Sequence, residues 1–142
     1  MDSVDAITRS RIMRAVRQRD TGPELAIRRE LHRQGLRYRL HSPSLPGRPD
    51  IVFVNARVAV FVHGCFWHRH LNCRLASTPK TRQEFWLSKF AANIERDERN
   101  KDLLIGSEWE PVFVWQCEIQ DDLPGAVRRI VEVVRRRTAA VG

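Results

Sequence analysis

The sequence predicts a mixed α/β domain in which helices pack on a small mixed sheet, and three observations carry that prediction. Two short β-branched runs, Ile51 to Val54 and Val58 to Val62, flank the turn Asn55-Ala56-Arg57 and read as a hairpin with both arms substantially buried. A long segment with helical start and stop signals follows, then one more strand and a final helix, the mixture of elements expected of layered α/β folds. The chain has 142 residues, enough for one domain with a real core and short of what two would need.

Residues 1 to 20 read as a basic arm, in which Ile12 and Val16 stand four apart among Arg9, Arg11, Arg14, Arg17 and Arg19. A single domain, residues 21 to 142, comes after it. Thr21-Gly22-Pro23 supplies a cap and a first-turn proline, Leu25 and Leu31 mark an apolar stripe, and Gly35 closes the helix. Leu36 to His41 alternates apolar and polar residues at period two, which predicts a half-buried strand ended by the turn residues Ser42 to Pro49. After the hairpin, His63 to Lys80 is a long irregular stretch, and such a loop inside a compact domain is usually functional or clipped by a metal. Thr81-Arg82-Gln83-Glu84 forms a capping box for a helix running to about Ile105, with Phe85, Leu87, Phe90, Ile94 and Leu104 as its apolar residues and Gly106 as its stop. Pro111 to Trp115 is a strand and Pro124 to Arg137 a basic helix. From Thr21 onward the order is helix, three strands, long helix, strand, helix.

Composition narrows the function. Apolar residues make up 42% and charged residues 30% of the chain, as in globular proteins and unlike disordered or fibrous ones. The longest purely apolar run, Val58 to Val62, is too short to span a bilayer, and the first twenty-five residues hold no apolar signal core. A cytoplasmic protein without a membrane partner is expected. The 25 Lys and Arg exceed the 17 Asp and Glu by eight, and 22 of these cations are arginine. Its planar fork grips phosphate oxygens bidentately, which points to nucleic acid; the competing reading is genomic base composition and a solvated basic surface.

Asp50 follows Pro49 at the entrance to a buried strand, where a carboxylate on a rigid element suits a hard cation such as magnesium. A turn-forming Pro-Asp pair is the plain alternative. The three cysteines are an odd number and do not make a disulfide framework. With His70, Cys65, Cys73 and Cys117 form a ligand set suited to a closed tetrahedral zinc; buried thiols acting as small hydrophobes are the alternative.

The element order around the Pro-Asp strand resembles the core of the PD-(D/E)xK nucleases, the restriction-endonuclease-like fold. That fold normally places an acidic-x-lysine pair on the next strand, where this chain has Phe61-Val62-His63. Leu45-Pro46-Gly47-Arg48-Pro49-Asp50 and His63-Gly64-Cys65-Phe66-Trp67-His68 resemble one branch, the very-short-patch-repair (Vsr) endonucleases, which nick DNA beside a T:G mismatch. Further matches are Thr8-Arg9-Ser10 with Met13-Arg14-Ala15, Arg19-Asp20-Thr21 with Glu24, Thr81-Arg82, Glu84-Phe85-Trp86-Leu87, Asn93-Ile94-Glu95-Arg96-Asp97 and Val114-Trp115-Gln116-Cys117-Glu118.

The resemblance implies that Asp50 and the backbone carbonyl of Val62 hold catalytic magnesium, with Glu24 behind them holding water. It makes His68 the general acid/base, sets His63 beside the phosphate where the lysine is missing, and leaves Asp97 to orient a histidine. It also implies structural zinc on Cys65, His70, Cys73 and Cys117. Two residues separate His70 from Cys73 where the family usually has one, and His68 is the alternative fourth ligand. Phe66, Trp67 and Trp86 become wedges entering the duplex from the major groove, and Met13 and Arg14 the contacts of the arm. Arg135 to Arg137 read either as phosphate contacts or as a solvated helix end. The expected activity is a magnesium-dependent nick 5′ to the thymine of a T:G mismatch, by a monomer working alongside mismatch-repair proteins. The rival readings are a related nicking nuclease serving restriction or phage defence, and a zinc-stabilised DNA-binding module without chemistry.

Overall fold

The computed structural model describes residues 21–141; the basic arm of residues 1 to 20, with Met13 and Arg14, lies outside them. Thr21 Oγ1 accepts the Glu24 N–H at 3.3 Å and starts helix α1, Gly22–Arg33, whose proline fits the first turn. Strands β1 (Arg39–Leu40), β2 (Ile51–Phe53) and β3 (Val58–His63) follow, then the one-turn helix α2 (Cys65–His68) and the long helix α3 (Gln83–Gly106). Strand β4 (Glu110–Trp115) and helices α4 (Gln116–Asp121) and α5 (Leu123–Val141) complete the order.

The sheet runs β1-β2-β3-β4, antiparallel except for the parallel pair β3 and β4, which α3 connects. β3 is therefore central and covered on both faces, which explains its unbroken apolar run. Its Val58 and Val60 face Ile27 and Leu31 of α1 and Val127 and Ile130 of α5. Ala59 and Phe61 face the other way, toward Leu104 of α3. Each fully buried aliphatic side chain of this core contributes about 1.5–3 kcal/mol. The alternation continues past the core: His63 shares the α3 side with Phe61, and Val62 shares the α1 side with Val60.

Four local expectations change. β1 is two residues long and exposed, while Leu36 and Tyr38 reach the core from a loop. Tyr38 sets its ring edge on Phe53 and donates its hydroxyl to the Arg28 carbonyl at 3.0 Å. The period-two pattern had registered side-chain burial without a matching ladder. Arg82 caps α3 in place of Thr81, in a left-handed conformation with φ 56° and no side-chain cap bond, its guanidinium over the Phe85 ring. The buried stripe of α3 is Trp86, Phe90 and Leu104, while Phe85, Leu87 and Ile94 are exposed. Between Phe90 and Leu104 that stripe continues through half-buried Asn93, Asp97 and Asn100, so it turns polar where it passes the site. Helix α4 was not foreseen; Glu118 Oε1 caps it by accepting the Trp115 N–H at 3.2 Å.

Two of the terminal arginines serve the fold. Arg136 pairs with Glu110 at 2.5 Å, and Arg137 donates to the carbonyls of Ala56 and Glu108 at 2.9 and 2.7 Å. Arg137 is thereby half-buried against the sheet edge, while Arg136 pairs with Glu110 from an exposed position. No helix among the described residues is long and apolar enough to cross a membrane.

Candidate active site and metal clusters

The approach to β2 is a tight turn that needs glycine at one position. Gly47 has φ 79°, and a Cβ there would lie 3.0 Å from the Phe61 ring and 3.2 Å from Asn100 Nδ2. The turn delivers Asp50 to the sheet, where its N–H donates to Val60 at 3.0 Å and its Oδ2 accepts the Val62 N–H at 2.7 Å. In a strand the N–H and C=O of one residue point to the same side, so the Val62 carbonyl also faces the Asp50 side. Burial pushes the Asp50 carboxyl up to about 6; the Val62 hydrogen bond opposes this, nearby Glu24 adds to it, and His41 and His68 oppose it.

Glu24, in the first turn of α1, is buried. His41 Nε2 lies 2.6 Å from its Oε1, and Arg28 Nη1 lies 3.7 Å from the same oxygen. One donor atom each from Glu24, His41 and Asp50 fall within 4.8 Å of one another. Two carboxylates side by side, one buried and one half-buried, with a backbone carbonyl alongside, fit a hard divalent cation. His41 was missed. No motif contains it, but the pairing Leu40↔Ile51 puts the residue after β1 next to the residue before β2, and that register was the available signal.

At the end of β3, His63 is buried and stacks on His68, ring centroids 3.8 Å apart and planes 4° apart. His68 closes α2, and its Nδ1 lies 2.5 Å from Asp97 Oδ2 on α3. Burial, then the neighbouring His68, hold the His63 ring down to about 3 against the pull of Asp97, so the ring is neutral at physiological pH. Its Nδ1 is buried without a hydrogen-bond partner among the described residues. His63, His68 and Asp97 thus form one cluster.

A separate cluster joins Cys65, His70, Cys73 and Cys117, with one donor atom of each within 4.8 Å of the others. His70 Nδ1 lies 3.3 Å from Cys117 Sγ and 3.7 Å from Cys65 Sγ, so His70 stands with the sulfurs and His68 with Asp97. Left-handed residues Arg69 (φ 54°) and Asn72 (φ 55°) bend the chain on either side of His70 and absorb the longer spacing to Cys73. Backbone N–H groups of Cys117 and Leu75 point at Cys65 and Cys73 sulfurs, each at 3.4 Å. Burial raises the Cys65 thiol to about 12. Burial opposes the fall of Cys73 to about 7, which the Leu75 N–H and His70 bring about. Three sulfurs, one imidazole and donors aimed at the sulfurs fit a structural zinc.

The aromatic residues form a tier over α3. Phe66 and Trp67 are half-buried and meet edge to face at 5.2 Å, and Asn93 Nδ2 holds the Trp67 carbonyl at 3.3 Å. Trp86 is buried at 4% exposure between Phe66 and Phe90, so it supports the other two rings and does not present a face to solvent. Arg69 was not singled out for this role: it lies over Phe90 at 4.0 Å and donates to Phe66, Ala76, Ser77 and Thr78, clamping the loop beneath the tier.

A family model described as DNA mismatch endonuclease Vsr matches residues 1–75. A type II nicking enzyme of Xanthomonas oryzae, V.XorIIP, is 46% identical over 120 residues, covering 84% of this chain and 88% of its own. The DNA mismatch endonuclease Vsr of Escherichia coli is 45% identical over 119 residues, 84% of this chain and 76% of its own. The type II nicking enzyme V.NmeAIP of Neisseria meningitidis is 38% identical over 113 residues, 80% of each chain. With a family model matched over more than half its length and such relatives over most of it, this chain belongs to the Vsr family of endonucleases.

Proposed function

We propose that this chain is a DNA endonuclease that nicks one strand of a duplex 5′ to the thymine of a T:G mismatch and so begins short-patch repair. The observation that carries the reading is the convergence of a pinned carboxylate, Asp50, with a histidine already oriented by an acid, His68 on Asp97. A binding module needs neither. Family membership and the name of the Escherichia coli relative, a DNA mismatch endonuclease, support the substrate.

Asp50 and the Val62 carbonyl would hold magnesium, which when bound supplies positive charge to a phosphate accumulating negative charge. Glu24 orients water beside Asp50. Asp97 accepts from His68 Nδ1, which leaves Nε2 as the atom that takes or gives the proton of the displacement. His63, stacked on His68 and neutral, serves as an uncharged hydrogen-bonding ring where related folds use a lysine. Cys65, His70, Cys73 and Cys117 would hold zinc, which cross-links the loop after α2 to the start of α4. Phe66 and Trp67, propped by Trp86, enter the base stack, and unstacking costs least at a mismatch, so the wedge itself selects. Met13 and Arg14 are read as contacts from the arm.

Labelled duplexes with and without a central T:G pair, incubated with magnesium or chelator, test the proposal. A magnesium-dependent nick at the mismatched strand, lost in Asp50→Ala while DNA binding persists, is the expected result. Equal cutting of paired and mismatched duplexes would favour a second role, for which the two relatives named type II nicking enzymes are the specific support. Binding without cutting would reject the nuclease.

A further inference from the structure

Glu24 has a neighbour whose position is too specific to be incidental. His41 follows β1 directly, and its N–H donates to the Asp50 carbonyl at 3.1 Å. Its backbone is left-handed, φ 47°, which turns the chain out of the sheet at this point. The ring is largely buried, and its Nε2 reaches Glu24 Oε1 at 2.6 Å. One residue thus touches Asp50 through its backbone and Glu24 through its side chain.

The two carboxylates repel each other, and Glu24 is a flexible side chain with three rotatable bonds. Repulsion disfavours the rotamer of Glu24 that faces Asp50. A donor fixed in place by the β1–β2 register supplies the opposing constraint, and Arg28 at 3.7 Å adds charge from the helix side. We propose that His41 is a positioning residue of the catalytic metal site: it donates from Nε2 to Glu24 and holds that carboxylate toward Asp50. The inference rests on the reading of Asp50 as the metal-binding carboxylate given above.

Manganese(II), whose free ion is counted by electron paramagnetic resonance, is the probe, applied to the full chain with its zinc content and melting temperature measured in parallel. His41→Leu is expected to weaken manganese binding about 10- to 100-fold with zinc content unchanged. His41→Gln, which keeps an N–H donor at similar reach, is expected to recover most of that affinity. Should the leucine variant fail to fold, His41→Asn replaces it, because its amide reaches only as far as the ring's Nδ1 and the same loss is expected. Wild-type manganese affinity in the leucine or asparagine variant overturns the proposal, as does a glutamine variant as weak as leucine. Asp50→Ala separates this from the underlying reading: if that variant binds manganese like wild type, the metal site itself is misassigned.

Discussion

Helix α2 is one turn long, yet its two ends belong to different chemistries. Its first residue, Cys65, joins a cluster of three sulfurs and an imidazole; its last, His68, joins a carboxylate and a second imidazole next to Asp50. The soft cluster contains no carboxylate and sits where the chain has little core of its own, between an irregular loop and the start of α4. The other side is built on β2, β3 and α3, whose positions the core already fixes. On the proposed reading, a metal would have different work at each end: it would substitute for packing at Cys65 and serve chemistry beside His68.

The comparison is broken most severely by Cys117→Ser. Losing one of the four proposed zinc ligands is expected to cost on the order of 4 kcal/mol of stability, with zinc released and nicking lost together. Calorimetry with metal analysis checks it. His68→Ala leaves zinc and melting temperature near wild type while slowing nicking about 10²- to 10⁴-fold in single-turnover assays. Asp97→Asn removes the charged acceptor but keeps a polar group, and about a tenfold to hundredfold loss is expected, again without loss of zinc.

The mildest effect comes from pH. With the Asp50 carboxyl raised from 3.8 to about 6, protons compete with the cation, so magnesium affinity is full above about pH 7 and falls about tenfold per unit below 6. Without metal the sign for stability reverses. A raised carboxyl favours the fold below its ordinary value of 3.8, and that contribution disappears as pH rises through about 6. Asp50→Asn flattens both profiles, which titration calorimetry and melting curves across pH 4 to 8 would show.

Elements whose residues are fixed by local pattern were legible. The hairpin β2–β3 followed from two β-branched runs, and the motifs that single out Asp50, His63 and His68 as candidates are runs of residues that stand together in the chain. The polar middle of the α3 stripe was not legible, because Asn93, Asp97 and Asn100 lie on the buried side for what they touch: the Trp67 carbonyl, His68, and the turn at Gly47. A hydrophobic pattern scores those positions as surface and promotes exposed Phe85, Leu87 and Ile94 in their place. His41 escaped for a different reason. It becomes a site neighbour only through strand register, and the period-two reading assigned it to a strand of six residues where two form.

Exhaustive dialysis against magnesium-free buffer without chelator, followed by zinc analysis, melting and the mismatch nicking assay on the same sample, tests the division most directly. The expected protein retains about one zinc per chain, melts as before, and has no nicking activity until magnesium is restored. Nicking that survives without magnesium, or a folded and active chain that holds no zinc, would contradict it.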